Sequence, residues 1–138
     1  MNLKFKHLGV AVKDLEAALP VYRDILGYRL TSGPFDDPIQ RVSVCFLTPS
    51  EEGPELELIS PLTTESPVRK ILQSGGGAYH LCYEAAQFDE AVAELSGKGC
   101  LRVSDPEPAV AFGGRRIVWL LTPTRQLLEL VEADDSRS

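Results

Sequence analysis

One stretch of this chain is written twice. "HLGVAVKDLEAAL" begins at His7, and "HLCYEAAQFDEAV" begins at His80, a shift of 73 residues. "VSVCFLTP" (Val42 to Pro49) returns as "RIVWLLTP" (Arg116 to Pro123) at a shift of 74, and Glu57-Leu58 returns as Glu129-Leu130 at a shift of 72. Three matches in one order at nearly one offset indicate an internal duplication, and small loop changes account for the spread. A chain of 138 residues has room for one core. The two copies are therefore expected to share a single domain, residues 1–138. Module 1 covers about 4–61, module 2 about 77–133, and a short helical junction about 66–74.

Local signals give each copy the same order of elements. Asp14 is placed to cap a helix carrying Leu15, Ala18, Leu19, Tyr22 and Leu26 on one face, ended by Gly27. Pro20 removes one backbone bond inside that helix and should bend it. Phe88, Ala91, Val92 and Leu95 form the matching face in the second copy, ended by Gly97 or Gly99. Val42, Val44 and Phe46 alternate with Ser43 and Cys45, the period of a half-buried strand. Ser66-Pro67 opens the junction helix with proline at its first position, and "QSGGGAYH" reads as a flexible link between the copies. The fold class is α+β, with sheets facing each other around a shared cavity. The closing "EADDSRS" reads as a polar tail.

Composition narrows the function. The chain is 43% hydrophobic and 25% charged, ordinary for a soluble globular protein. Its net charge of −6 argues against nucleic acid as a partner. No apolar run is long enough for a membrane span, and the opening "MNLKFKHLGV" lacks a signal-peptide pattern. Cys45, Cys82 and Cys100 are odd in number without CxxC spacing, which fits free thiols and a cytoplasmic protein.

Each copy holds one histidine on its first strand and one glutamate on its last: His7 with Glu57, and His80 with Glu129. Strand alternation puts Glu129 on the core-like side of "LLELV", with Leu127 and Val131, whereas Glu55 and Glu132 face solvent. A carboxylate inside must be paired, protonated or bound to a metal. Two neutral imidazoles and two carboxylates balance one divalent cation, and mixed nitrogen and oxygen donors suit Co, Ni, Zn, Mn or Fe without choosing among them. A lone strand histidine is more often a hydrogen-bonded structural residue. The recurrence of both residue types at matched positions weighs toward a metal site.

These residues resemble the vicinal oxygen chelate superfamily (glyoxalase, bleomycin resistance and dioxygenase proteins) from His7 to Glu129. The likeness is greatest to the methylmalonyl-CoA epimerases, through "HLGVAVKDLEAALPVYRDILGY", "ELELISPLTTESPVRKILQSGGGAYH" and "AFGGRRIVWLLTP". The resemblance implies two βαβββ modules forming a cup-shaped, barrel-like sheet around a metal held by His7, Glu57, His80 and Glu129. It also implies a homodimer and a small-molecule substrate of the acyl-CoA type. The expected chemistry is isomerisation: a divalent cation stabilises the enolate formed when a neighbouring C–H loses its proton.

Glu129 is a candidate acid/base group, and inversion requires a second group on the opposite face. The epimerases carry a glutamate in a "PEQGV"-like segment; here "DPIQRV" puts Ile39 in its place, leaving Asp37, Glu84 or a water as substitutes. Tyr79 likewise replaces the first of a usual histidine pair. Gly113, Gly114 and Arg116 of "FGGRR" are candidates for binding an anionic substrate, set against a plain hairpin turn with solvated arginines. Cys82 shares the parity of His80 and reads as a small buried thiol. Three other functions stay open: a glyoxalase-like lyase or specialised isomerase, a metal-independent antibiotic-binding protein, and an extradiol dioxygenase.

Overall fold

The first copy folds as β1 (Leu3–Ala11), α1 (Leu15–Pro20), β2 (Tyr28–Asp37), β3 (Val42–Pro49) and β4 (Leu56–Pro61) in this computed structural model, which describes residues 2–134. After α2 (Val68–Gln73), the second copy follows as β5 (Gly77–Ala85), α3 (Phe88–Gly97), β6 (Leu101–Arg102), β7 (Glu107–Pro108), β8 (Arg116–Leu121) and β9 (Leu127–Glu132). The chain is a mixed α+β protein with the duplicated order that the repeat predicts. Among the described residues, no helix is long and apolar enough to cross a membrane.

Contacts group the described residues into two compact units, residues 7–79, and residues 80–134 together with residues 2–6. In the first, β4 pairs in parallel with β1 and antiparallel with β3, which pairs with β2. In the second, β9 pairs in parallel with β5 and antiparallel with β8, whose far edge takes β6 and β7. The same pleat argument applies to each. Leu56 and Leu58 turn to one face of β4 and join Val10, Leu15, Cys45 and Leu47 in an aliphatic cluster. Leu128 and Leu130 of β9 do the same with Phe88, Ala91 and Leu95 of α3. Glu57 and Glu129 stand between those leucines and face the other way.

The register corrects the repeat by one residue. Phe46 opposes Glu57 across β3 and β4, and Trp119 opposes Glu129 across β8 and β9. The true counterpart of Phe46 is therefore Trp119, at a shift of 73, and not Leu120 as "LTP" suggests. A slip of one residue reverses the face of every side chain, so this difference matters at the site.

Other expectations shift for physical reasons. Asp14 Oδ1 does accept from Glu16 N at 3.2 Å, but after Pro20 the helix widens into a π turn, Val21–Ile25. That turn rotates the apolar stripe outward, so Leu26 is 56% exposed rather than buried. β3 is buried on both faces, because Cys45 and Leu47 pack under α1 while Val44 and Phe46 face the other side. Pro67 precedes α2 rather than opening it, and Ser66 Oγ accepts from Val68 N at 3.4 Å. The junction is shorter than "QSGGGAYH", since β5 already begins at Gly77.

The edge strand of the second copy is split into β6 and β7. Pro106 and Pro108 offer it no N–H, and Ser104 Oγ accepts from Trp119 N at 2.9 Å across the gap. In the first copy β2 stays whole but shifts register around Gly33, whose φ is +90° and whose added Cβ would lie 2.9 Å from the Val44 carbonyl oxygen. Residues 135–138 of the polar tail lie outside the described residues. Glu132 belongs to β9 and is not a free solvated group: its Oε2 takes Arg116 Nη2 at 2.8 Å.

Two stability predictions follow from this packing. Leu130→Ala empties a fully buried position and should lower the unfolding free energy by about 2–5 kcal/mol in urea titrations. Leu101→Ala, at a position 63% exposed, should change it by less than about 0.5 kcal/mol. The hydrogen-bonded Arg116 guanidinium holds the Glu132 carboxyl below its ordinary pKa of 4.5. A carboxyl depressed in the folded state contributes its stability in full above 4.5 and loses it as pH falls through the folded value. Arg116→Ala should therefore flatten the decline in Tm between about pH 5 and about pH 3.

Candidate metal centre

The parallel pairings set the histidines against the glutamates in the same way in both copies. Gly9 is the register partner of Glu57, and Cys82 is that of Glu129. Each histidine stands two residues earlier on the same strand, on the same face. His7 Nε2 lies 3.1 Å from Glu57 Oε1, and His80 Nε2 lies 3.2 Å from Glu129 Oε1. Ring contacts fix the imidazoles. His7 meets Phe46 edge to face with centroids 5.5 Å apart, and His80 meets Trp119 at 4.8 Å with an interplanar angle of 86°.

All four side chains are buried, at 0% for His7, 5% for Glu57, 1% for His80 and 3% for Glu129. One ligand atom from each lies within 4.8 Å of the other three. First-row cations hold nitrogen and oxygen donors at roughly 2.0–2.2 Å, so neighbouring donors in a right-angled sphere sit roughly 3 Å apart and opposite donors a little over 4 Å apart. The 3.1 and 3.2 Å pairs match the neighbouring spacing. Two carboxylates drawn this close out of water repel each other strongly, and a divalent cation removes that cost. The donors thus fit a metal ion in charge, chemistry and spacing, and the cluster can bind one.

The remaining candidates lie elsewhere. Asp37 is buried at the end of β2, and its Oδ1 accepts from the backbone N–H of Ile39 at 3.0 Å and of Gln40 at 3.1 Å. Its register with Val42, and Val42's with Pro61, puts Asp37 on the Glu57 face but four residues along and two strands across, roughly 16 Å at Cα. Ile39 itself is 48% exposed. Gly113 and Gly114, with φ of +64° and +86°, form the left-handed turn into β8. Arg116 is taken up on the helix side, where its guanidinium meets Asp89 at 3.2 Å and Glu132 at 2.8 Å above the Phe88 ring. Glu84 is ion-paired with Arg115 at 3.3 Å. Burial first, and the Glu57 charge second, push the Cys45 thiol up to about 11, so it is no nucleophile.

Two residues of the site went unread in the sequence: Phe46 and Trp119, which wall the histidines. Aligning the repeat on its histidines, at a shift of 73, pairs these aromatics directly, whereas "LTP" does not.

The chain matches the Glyoxalase/Bleomycin resistance protein/Dioxygenase superfamily over residues 6–119. It is 33% identical over 119 residues to the ethylmalonyl-CoA/methylmalonyl-CoA epimerase of Cereibacter sphaeroides, covering 85% of this chain and 87% of that protein. The methylmalonyl-CoA epimerase of Mycobacterium tuberculosis superimposes with a TM-score of 0.80 at 26% identity, covering 96% of this chain and 89% of that one. A methylmalonyl-CoA epimerase solved in complex with methylmalonyl-CoA and NH4+ gives 0.78 at 27% identity, with 98% and 97% covered. These relatives are enzymes, and their fold is the fold described above. With two thirds of its length and more inside the match, the chain belongs to the Glyoxalase/Bleomycin resistance protein/Dioxygenase superfamily.

Proposed function

We propose that this protein is a divalent-metal-dependent epimerase of acyl-CoA thioesters of the methylmalonyl type. The observation that carries the reading is the buried convergence of His7, Glu57, His80 and Glu129, with donor atoms within 4.8 Å of one another, in a relative of epimerases. The two histidines bind as neutral imidazoles through Nε2 and the two glutamates as carboxylates. Phe46 and Trp119 hold the rings in the orientation that ligation needs. The ion, when bound, supplies Lewis-acid stabilisation of negative charge developing on a thioester carbonyl oxygen.

Proton movement falls to the chain's own carboxylates. Glu129 is the proposed acceptor of the α-proton, at a carboxylate oxygen. Burial of the surrounding strands excludes bulk water, which would otherwise compete for that proton. Return of a proton on the other face completes inversion, and Asp37 is the first copy's carboxylate on the Glu57 face. The protein works on the same reading as a homodimer in the cytoplasm, where the thiols of Cys45, Cys82 and Cys100 stay reduced.

One observation favours a second reading, a glyoxalase-like lyase or specialised isomerase that needs proton transfer on one face only. Ile39 stands where the epimerases place their glutamate, and two backbone N–H groups already occupy Asp37 Oδ1. A metal-independent binding protein has no use for four buried ligands and is the weaker alternative.

Purified protein should contain about one divalent ion per chain, and His80→Ala or Glu129→Ala should lose it. In heavy water it should exchange the α-proton of methylmalonyl-CoA, and chelation should cut that rate by roughly 100-fold or more. Metal that stays substoichiometric after reloading would retire the metal reading. Full metal without exchange would retire this substrate and leave the lyase reading. Asp37→Asn should slow inversion by roughly 100-fold while leaving α-proton exchange in place; full-rate inversion would remove Asp37 from the mechanism.

A further inference from the structure

Resting on the epimerase reading and deepening it, the site face of the second unit's sheet bears on the size of the substrate. Val118, Leu120, Leu128 and Leu130 turn toward α3. Alternation therefore puts Trp119 and Leu121 of β8, and Leu127 and Glu129 of β9, on the face of His80. The edge strand extends both rows. Leu101 is the register partner of Leu121, and Val103 N donates to the Trp119 carbonyl at 2.9 Å. Residues opposite one another share a face, so one row runs Leu127, Leu121, Leu101 and the next runs Glu129, Trp119, Val103. Burial falls outward along them. Glu129 is buried, Trp119, Leu121 and Leu127 are half-buried, and Val103 and Leu101 are 53% and 63% exposed.

The first copy serves as an internal control. Where the second copy has Leu127, two residues before its glutamate, the first has Glu55. Where the second has Leu121, two residues after its aromatic, the first has Thr48. The register partner of Thr48 is Arg29, in the place of Leu101, and the partner of Phe46 is Ser32, in the place of Val103. A sheet of this pattern thus accommodates four polar residues at the positions where the second copy carries four apolar ones. Single exposed apolar side chains need no explanation, but a contiguous strip running out from the site marks a binding surface.

Continuity with Glu129 supplies the occupant. Val103 stands two strands from Glu129, roughly 10 Å away. A carbon whose proton passes to Glu129 lies at the inner end of the strip, and in a malonyl-type thioester it carries a thioester, a carboxylate and one alkyl group. The two polar groups lose free energy when moved from water onto leucine and valine, whereas the alkyl group gains it. A methyl group is too short to cross the strip; a longer chain covers Trp119, Leu121, Val103 and Leu101 in turn. We propose that this strip receives the alkyl substituent, and that the preferred substrates are alkylmalonyl-type thioesters with chains longer than ethyl.

Calorimetry on the metal-loaded full chain, with a series from methylmalonyl-CoA to hexylmalonyl-CoA, tests the proposal. Wild type should bind about 2- to 4-fold tighter for each added methylene before the gain levels off. The double variant Leu101→Ser/Val103→Ser, at two exposed positions that the fold does not bury, should reduce that gain to less than about 1.5-fold. Ile25→Ser, at a position 74% exposed in the other unit, should keep the wild-type gain. A flat series in wild type, or a gain that the double variant leaves intact, overturns the proposal. So does an equal loss at every chain length, which would place the thioester arm on the strip. Dissociation of the double variant in sedimentation would assign the strip to a second copy of the chain and overturn it as well. A gain that depends on Leu101 and Val103, without α-proton exchange, would sink the epimerase reading and leave the strip standing. Exchange with a flat series would do the opposite.

Discussion

Two carboxylates placed among leucines are the constraint on which the rest of this molecule depends. Glu57 and Glu129 sit in strands β4 and β9 whose neighbours on both sides are buried. An isolated carboxylate in such a position costs several kcal/mol and would instead take up a proton. Each glutamate has an imidazole nitrogen close by, supplied by the strand with which it pairs in parallel. In both copies the histidine precedes the glutamate's register partner by two residues. A parallel pair puts register partners on one face, so this offset is the shortest that brings a histidine beside the glutamate without taking the partner position itself. That position then needs a small side chain, and it is Gly9 in one copy and Cys82 in the other.

Separate faces of each sheet keep the polar site from weakening the core. The alternation that turns Glu57 one way turns Leu56 and Leu58 the other, into the cluster under α1. Leu128 and Leu130 serve the same role under α3. The helices therefore cover one face with ordinary aliphatic packing and leave the other for chemistry. Arg115 and Arg116 show how sharp that division is. Adjacent in sequence, they part at the start of β8: Arg116 reaches Asp89 and the Phe88 ring on the helix side, and Arg115 reaches Glu84 on the face of His80.

Much of this was legible in the residues. The duplication, the fold class, the strand positions of both histidines and both glutamates, and the apolar face of α3 follow from spacing and residue type alone. The misreadings share a cause, which is that tertiary neighbours and not local pattern decide them. "LTP" matches in letters at a shift of 74, yet pairing with β9 fixes Trp119 and not Leu120 opposite the glutamate. Alternation in "VSVCF" reads as a half-exposed strand, but α1 covers Cys45 from the far side. Arg116 reads as a free cation near a glycine turn because nothing local announces Asp89, 27 residues away. A widening to π geometry after Pro20 follows only from how the missing hydrogen bond is accommodated, and it reverses the expected burial of Leu26.

On the proposed function an acidic protein receives an anionic thioester, and that raises an electrostatic problem. The chain carries a net charge of −6, most of it on exposed side chains. At physiological ionic strength those charges are screened beyond roughly 8 Å, so they oppose the approach of an anion only weakly. Inside a half-dry site the balance changes. Two opposite charges 4 Å apart attract by about 4 kcal/mol at an effective dielectric near 20, against about 1 kcal/mol in water. On the proposed function a divalent ion in the four-ligand cluster would thus outweigh several distant surface carboxylates. On this reading net charge governs solubility and encounter, whereas selection rests on a handful of side chains facing inward. An acidic composition is therefore no argument against an anionic substrate when positive groups are buried where the reacting atoms must lie.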